Sequence, residues 1–382
     1  MSSLHAYLRW RGDLSFSADP LNEVDALLFS LLAYVDPPAI PKGGMTLCEA
    51  AAQYFFTHDE QEPHPLGLIV PDGILSIFRH MARTRRFENV RLCRFINEVV
   101  EESETQRGMQ CAALEVRFPG YGDGEEAVLV AFRGTDDTLA GWRENFELSF
   151  TDAVPAQRRA ATFLNETDLP PDAPLYVTGH SKGGNLAVYA AVCADSRVRR
   201  HIQTVFCHDG PGFSAAFLER EAYREIAPRI RYYLPEDSLV GLLLPHDEHY
   251  ETIASRGHGL RQHDGLTWEV MGPRFKPTNG LSRRGHRSDH VISQRIAAMS
   301  AEEKRRLTDL LFSLLHATGA RTLCELYEHA GTHALSVLRA YRSLPPADRE
   351  IAGYLWTKLT SARVPTRQVR SPMRIHVGFL SL

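Results

Sequence analysis

From residue 111 onward the chain alternates between short β-rich runs and stretches of helix length, and that alternation restricts its possible folds more than any other feature. The runs are CAALEVRF (111–118), AVLVAFRGT (127–135), PLYVTGHS (174–181), QTVFCHDG (203–210) and RIRYYLP (229–235). The first two stand close enough for a hairpin around PGYGDGEE. The later ones are separated by AGWRENFELSF, VPAQRRAATFLNE and KGGNLAVYAAVCAD, each long enough to form a helix. Parallel neighbours cannot be joined by a tight turn, because the chain has to travel back to the same end of the sheet. The order therefore predicts a mixed, largely parallel sheet covered by helices.

The flanks read differently. LNEVDALLFSLLAYV (21–35), GGMTLCEAAAQYFF and PDGILSIFRHMARTRRF carry apolar residues at helical spacing, so the first hundred residues read as mainly α. Beyond residue 290, SAEEKRRLTDLLFSLLHATGA places Ser300 and Glu303 at capping-box spacing ahead of an amphipathic helix. The tail VPTRQVRSPMRIHVGFLSL reads as one edge strand at most, and MGPRFKPTNGLSRRGHRSDH reads as a mobile connection. Three parts result: a helical N-terminal part over 1–110, a sheet-bearing core over 111–290 and a C-terminal helical region over 291–382.

At 382 residues the chain can bury a large core, and its 43% apolar and 24% charged content is that of a globular protein. A net charge of −4 gives no electrostatic reason to expect nucleic acid as a partner. The opening MSSLHAYLRWRGDLSF lacks the apolar stretch of a secretory signal, and no apolar run approaches the roughly 18 residues a membrane span needs. A cytoplasmic protein with no integral membrane segment is the expectation. The six cysteines are scattered without a C-x-x-C pair, which points to reduced thiols rather than a disulfide framework or zinc knuckle.

The chemistry concentrates at LYVTGHSKGGNLAVYAA (175–191), where an apolar run ends in Gly-His-Ser-Lys-Gly and a small-residue helix pattern begins at once. A serine hydroxyl is a weak nucleophile, and one that is used needs exposure on a tight turn at a helix N-terminus with a base in reach. Gly179 and Gly183 flank Ser181 where a side chain would collide with the neighbouring strand and helix, as the G-x-S-x-G turn requires. The competing reading is a serine that only caps the following helix. Acyl transfer also needs donors for the developing oxyanion. The Lys182 backbone N–H supplies one, and Thr135, at the end of VAFRGTDDTLAGW, supplies a candidate second through its N–H and hydroxyl.

The pairing of FRGT…W with GHSKGG resembles the class 3, fungal-type lipase family. It is closer still to a bacterial branch of lipase-like proteins, through YLRWRGDLSFSADPLNEVDALLFSLLAY, HDGPGFS, PEDSLVG and QHDGLTWEV. The likeness spans roughly residues 6–320 and implies an α/β-hydrolase fold with a mixed, mostly parallel central sheet, plus helical N-terminal and C-terminal additions. It implies a serine hydrolase of carboxylic esters, with a small-molecule ester or lipid as substrate and no metal or other cofactor.

In that fold the triad runs Ser, acid, His along the chain. Asp237 in PEDSLVG follows the run RIRYYLP, where class 3 lipases carry the acid, with Glu236 as its immediate rival. The base lies among His246, His249, His258 and His263. YETIAS reads as a strand, and a triad histidine on the loop after it is His258 or His263; the resemblance, through QHD…W, singles out His263, with His249 as the alternative. His180 is expected beneath the turn, and Lys182 either faces an anionic substrate or pairs with a carboxylate outside the pocket. Asn145 stands where the family's W-x-x-D pattern has an acid, which puts that acid's bond to the oxyanion loop in question. Two other readings remain: a catalytically silent hydrolase fold used for binding, and a metalloenzyme built on HDEHY and GHGLRQHD, which lacks H-E-x-x-H spacing.

Overall fold

The computed structural model describes residues 3–58, 66, 70, 71, 73–101, 107–121, 125–242, 244, 249–282, 299–346, 348 and 349. Eight strands form one sheet in chain order. β1 (Met45–Thr46), β2 (Arg91–Val100), β3 (Met109–Tyr121) and β4 (Glu125–Phe132) pair antiparallel with one another in succession. β5 (Leu175–His180), β6 (Ile202–His208), β7 (Ile230–Pro235) and β8 (Tyr250–Ile253) then continue parallel to β4. The expected hairpin is the β3–β4 pair. β2 is a strand that the sequence reading did not name: RLCRFINEVV mixes charged and apolar residues, and its outer half is only partly buried, so neither periodicity stands out.

Period-two alternation sorts the strands into two cores. Leu114, Val116, Phe118, Leu129 and Ala131 face a layer that includes Leu27, Leu28 and Phe29 of α2 (Glu23–Leu32). Cys111, Ala113, Val128, Val130 and Phe132 face the other way, against α6 (Pro155–Asn165) and α7 (Lys182–Val192). Each large side chain so buried contributes about 1.5–3 kcal/mol of transfer free energy, so these two layers dominate stability.

The N-terminal helices are fastened to this body by polar anchors. Asn22 caps α2 and Asp25 completes the box. Asp25 also accepts from Arg86 Nη2 at 2.6 Å and from Tyr7 Oη at 2.7 Å, which joins α2 to α1 (Leu4–Arg11) and to the segment after α4 (Gly73–Met81). Ser30 Oγ and Thr178 Oγ1, 2.8 Å apart and buried, pin α2 onto β5.

At the other end Ser300 and Glu303 form the expected capping box of the helix Ala301–His316. Phe312 of that helix packs edge-on to Phe146 of α5 (Leu139–Glu147), with ring centroids 5.8 Å apart. Leu139 N–H donates to Arg321 O at 2.8 Å and Leu323 N–H to Asp137 O at 2.9 Å, so the C-terminal helices dock on α5. Of the expected mobile connection, the described part holds a short hairpin, β9 (Val270–Met271) with β10 (Arg274–Phe275). The rest of that stretch, the expected tail strand and His246 lie outside the described residues.

Candidate active site

Ser181 stands between β5 and α7 with φ 59° and ψ −134°, a backbone conformation that is costly for any residue with a Cβ. The surroundings impose it. A Cβ on Gly179 would lie 2.0 Å from Gly183 O, and one on Gly183 would lie 2.1 Å from Phe132 O, so strand and helix meet too closely for any side chain there. Ser181 occupies the N-cap position of α7, yet its hydroxyl makes no capping bond. The local fold therefore holds an exposed-type serine turn rather than a capping serine.

The chain leaving β4 passes directly against this turn. A Cβ on Gly134 would lie 2.7 Å from His180 O and 3.1 Å from Ser181 Cβ. The next residue, Thr135, is buried. Its hydroxyl oxygen lies 2.7 Å from Asn145 Nδ2 and 3.0 Å from Asn145 Oδ1. The bond left in question by the missing W-x-x-D acid is thus present, made by an amide. A carboxylate could only accept the Thr135 proton, whereas an amide offers the hydroxyl both a donor, Nδ2, and an acceptor, Oδ1. The Lys182 N–H, first in α7, has no intrahelical acceptor by position. Its side chain points away from the turn and is fully buried on Glu144, which decides between the two readings of that lysine.

His263 ends a short 3₁₀ turn, Gly259–His263, and its Nδ1–H donates to Asp209 Oδ2 at 2.6 Å. Asp209 is fully buried and also accepts from Ser238 Oγ. Asp237 does not meet His263. It accepts from Gln262 Nε2 at 3.2 Å and from Ser282 Oγ, and its N–H donates to Gln262 Oε1 at 2.9 Å. The reason lies in sheet register. His180 pairs with His208, so Ser181 and Asp209 are the first residues beyond adjacent strands, about 4.8 Å apart laterally. Asp237 follows β7, one strand spacing further out.

The other histidines are spread apart. His249 is exposed and precedes β8, three strand spacings, roughly 14 Å, from β5. His258 is exposed at the start of the 3₁₀ turn. His180 lies beneath the turn as expected: its ring centroid is 4.7 Å from that of His263, and its Nε2 donates to His263 O at 2.7 Å. Burial, then the neighbouring His263, holds His180 well below the usual imidazole range. Trp268 is fully buried, with Nε1 donating to Gln262 O at 2.8 Å, and packs edge-on to His180.

Two residues at the site escape a linear reading. Asp209 had a signal, since it ends the run QTVFCHDG beside the serine strand, and its φ of 50° marks a second sharp strand-end turn. Tyr34, one turn beyond α2, had none: its hydroxyl oxygen is 2.2 Å from where a Gly134 Cβ would be, and it takes a bond from the Gly134 N–H.

A mixed sheet whose parallel half carries a serine strand turning sharply into a helix, with helices on both faces, is an α/β-hydrolase fold. Residues 81–313 match the family model described as Mbeg1-like, and the chain belongs to the Mbeg1-like family, a lipase-like family. No curated protein matches the chain. Among solved structures, M37 lipase is similar at 15% identity and a TM-score of 0.35, over 58% of this chain and 69% of that one. Native Rhizomucor miehei lipase, solved as a propeptide complex, is similar at 20% identity and a TM-score of 0.29, over 42% and 57%. Among the described residues no helix is long and apolar enough to cross a membrane.

Proposed function

We propose that this chain is a serine hydrolase of carboxylic esters, with lipid or acyl esters as its substrates. What supports the reading is the His263–Asp209 hydrogen bond, with Asp209 at the strand end next to the strained turn of Ser181. With Nδ1 bonded to Asp209, Nε2 of His263 is the nitrogen left for proton transfer. It takes the Ser181 proton as Oγ attacks the ester carbonyl, and Asp209 stabilises the imidazolium that forms. Lys182 N–H and Thr135 receive the tetrahedral oxyanion. The proton then passes to the leaving alcohol, and water, activated by the same imidazole, releases the acid from the acyl-enzyme. Asp209 replaces Asp237 as the acid in this scheme.

A fluorophosphonate probe tests it directly. Labelling of the wild type, its loss in Ser181→Ala and marked slowing in His263→Ala, with His249→Ala unaffected, is the expected pattern. Folded wild-type protein that neither labels nor cleaves p-nitrophenyl esters of any chain length would instead favour the catalytically silent, binding reading.

A further inference from the structure

Lys182 stands directly after the serine, yet its side chain runs away from the site. Nζ is fully buried and donates to Glu144 Oε2 at 2.5 Å, to Gln110 O at 2.9 Å and to Gln110 Oε1 at 3.3 Å, so its three protons have three acceptors. Glu144 is equally committed: Oε2 also accepts from Gln110 N–H at 3.0 Å, and Oε1 from Ala156 N–H at 2.9 Å. One carboxylate thereby joins β3, α5, the start of α6 and the first residue of α7. The next residue of α5, Asn145, grips the hydroxyl of Thr135. Consecutive residues of one helix thus hold both groups assigned to the oxyanion.

We infer that Lys182 is a positioning residue, whose buried ammonium locks the first turn of α7 to α5 and so sets where its own N–H points, and that it binds no anionic substrate. The inference rests on the hydrolase reading. A buried charge pair is a poor route to stability, since packed apolar side chains often do as well. Its use here is geometric, because the directional bonds of an ammonium and a carboxylate admit one arrangement where apolar side chains would slide. Oxyanion donors act through placement, and a displacement of about 1 Å can cost about 10²-fold in rate.

The test compares wild type with Lys182→Met, Glu144→Gln and the double variant Lys182→Gln/Glu144→Gln, which keeps hydrogen-bonding groups without charge. Each is assayed below its unfolding transition on a neutral ester and on an ester bearing a remote carboxylate. Affinity is measured for a trifluoromethyl ketone, whose hemiketal oxyanion occupies the donor site. The expected result is a loss of about 10²-fold in kcat, a matching loss in ketone affinity, and KM for the neutral ester within about twofold of wild type. The ratio between the two esters stays constant. A merely structural role would lower the unfolding temperature and leave ketone affinity intact, and that overturns the inference. So does a defect confined to the carboxylate ester. If wild type neither turns over esters nor binds the ketone, the hydrolase reading itself fails; if wild type does both and the folded variants match it, only the role of Lys182 fails.

Discussion

Asp209 Oδ2 sits 2.6 Å from His263 Nδ1, and the two residues come from the end of β6 and from the loop beyond β8. In the proposed mechanism this contact is the reason for taking Asp209 as the acid. Asparagine at 209 would offer His263 an amide in place of a charge and favour the wrong tautomer. Asp209→Asn should lower kcat by about 10⁴-fold, and Asp237→Asn by no more than about tenfold, because Asp237 acts on the loop through Gln262. Steady-state kinetics on a p-nitrophenyl ester decide it; the reverse ranking would return the acid to Asp237.

Thr135 and Asn145 form the second test. Thr135→Val removes the hydroxyl outright and should cost about 10²–10³ in kcat/KM, the usual loss for one oxyanion donor. Asn145→Ala leaves the hydroxyl present but unheld, and a smaller loss, about tenfold, is expected with KM little changed. Equal activity of Thr135→Val and wild type would mean that the hydroxyl serves only its own loop.

Asp25 and Arg86, both fully shielded from water, form the main polar joint of the N-terminal helices. Removing Arg86 strands Asp25 as a buried charge, and removing Asp25 leaves the buried Arg86 only a 3.3 Å charge contact with Asp19. Asp25→Asn or Arg86→Met should therefore lower unfolding free energy by about 3–5 kcal/mol, read from urea midpoints. The exposed Arg305–Glu302 pair supplies the control, since Glu302→Gln should change stability by no more than about 1 kcal/mol. A cost near zero for both joint variants would show that the joint is dispensable.

His208 gives the protein a pH dependence of defined sign. Burial pushes its imidazole from the usual 6.5 down to about 4, so between those values the unfolded chain binds a proton that the folded chain refuses. Stability is therefore complete above pH 6.5 and falls as pH drops towards 4, by about 3 kcal/mol for this group. His180 acts in the same direction. Urea unfolding between pH 4 and 7 should show a shallower acid limb in His208→Asn than in wild type. Parallel limbs would assign the acid sensitivity to other groups.

Much of the architecture was legible without coordinates, for reasons of range. The cap of the helix beginning at Ala301 is a contact between residues three apart, so its signature, Ser300 and Glu303, sits in one short window. The turn at Ser181 is read from an equally short window, since a Cβ on Gly179 would collide with Gly183 O only four residues on. β2 was illegible for the opposite reason: its place in the sheet comes from pairing with β3, while its own residues alternate weakly.

The acid shows the same division most plainly. A carboxylate, a histidine loop and a serine turn were all readable in order, but Asp209 and Asp237 each follow a strand, and nothing local separates them. Only the register of β5 on β6, which sets Ser181 beside Asp209, and the fold of the loop around Trp268, which brings His263 over that strand end, choose between them. Lys182 follows suit, since its partner Glu144 lies 38 residues earlier and meets it only because α5 packs behind the turn. By itself the sequence determined most of the elements, the cap at Ser300 and the serine turn, all set by backbone preference and hydrophobic period over a few residues. The tertiary structure decided which charged groups touch, because a hydrogen bond depends on ångström distances between segments that are far apart in the chain.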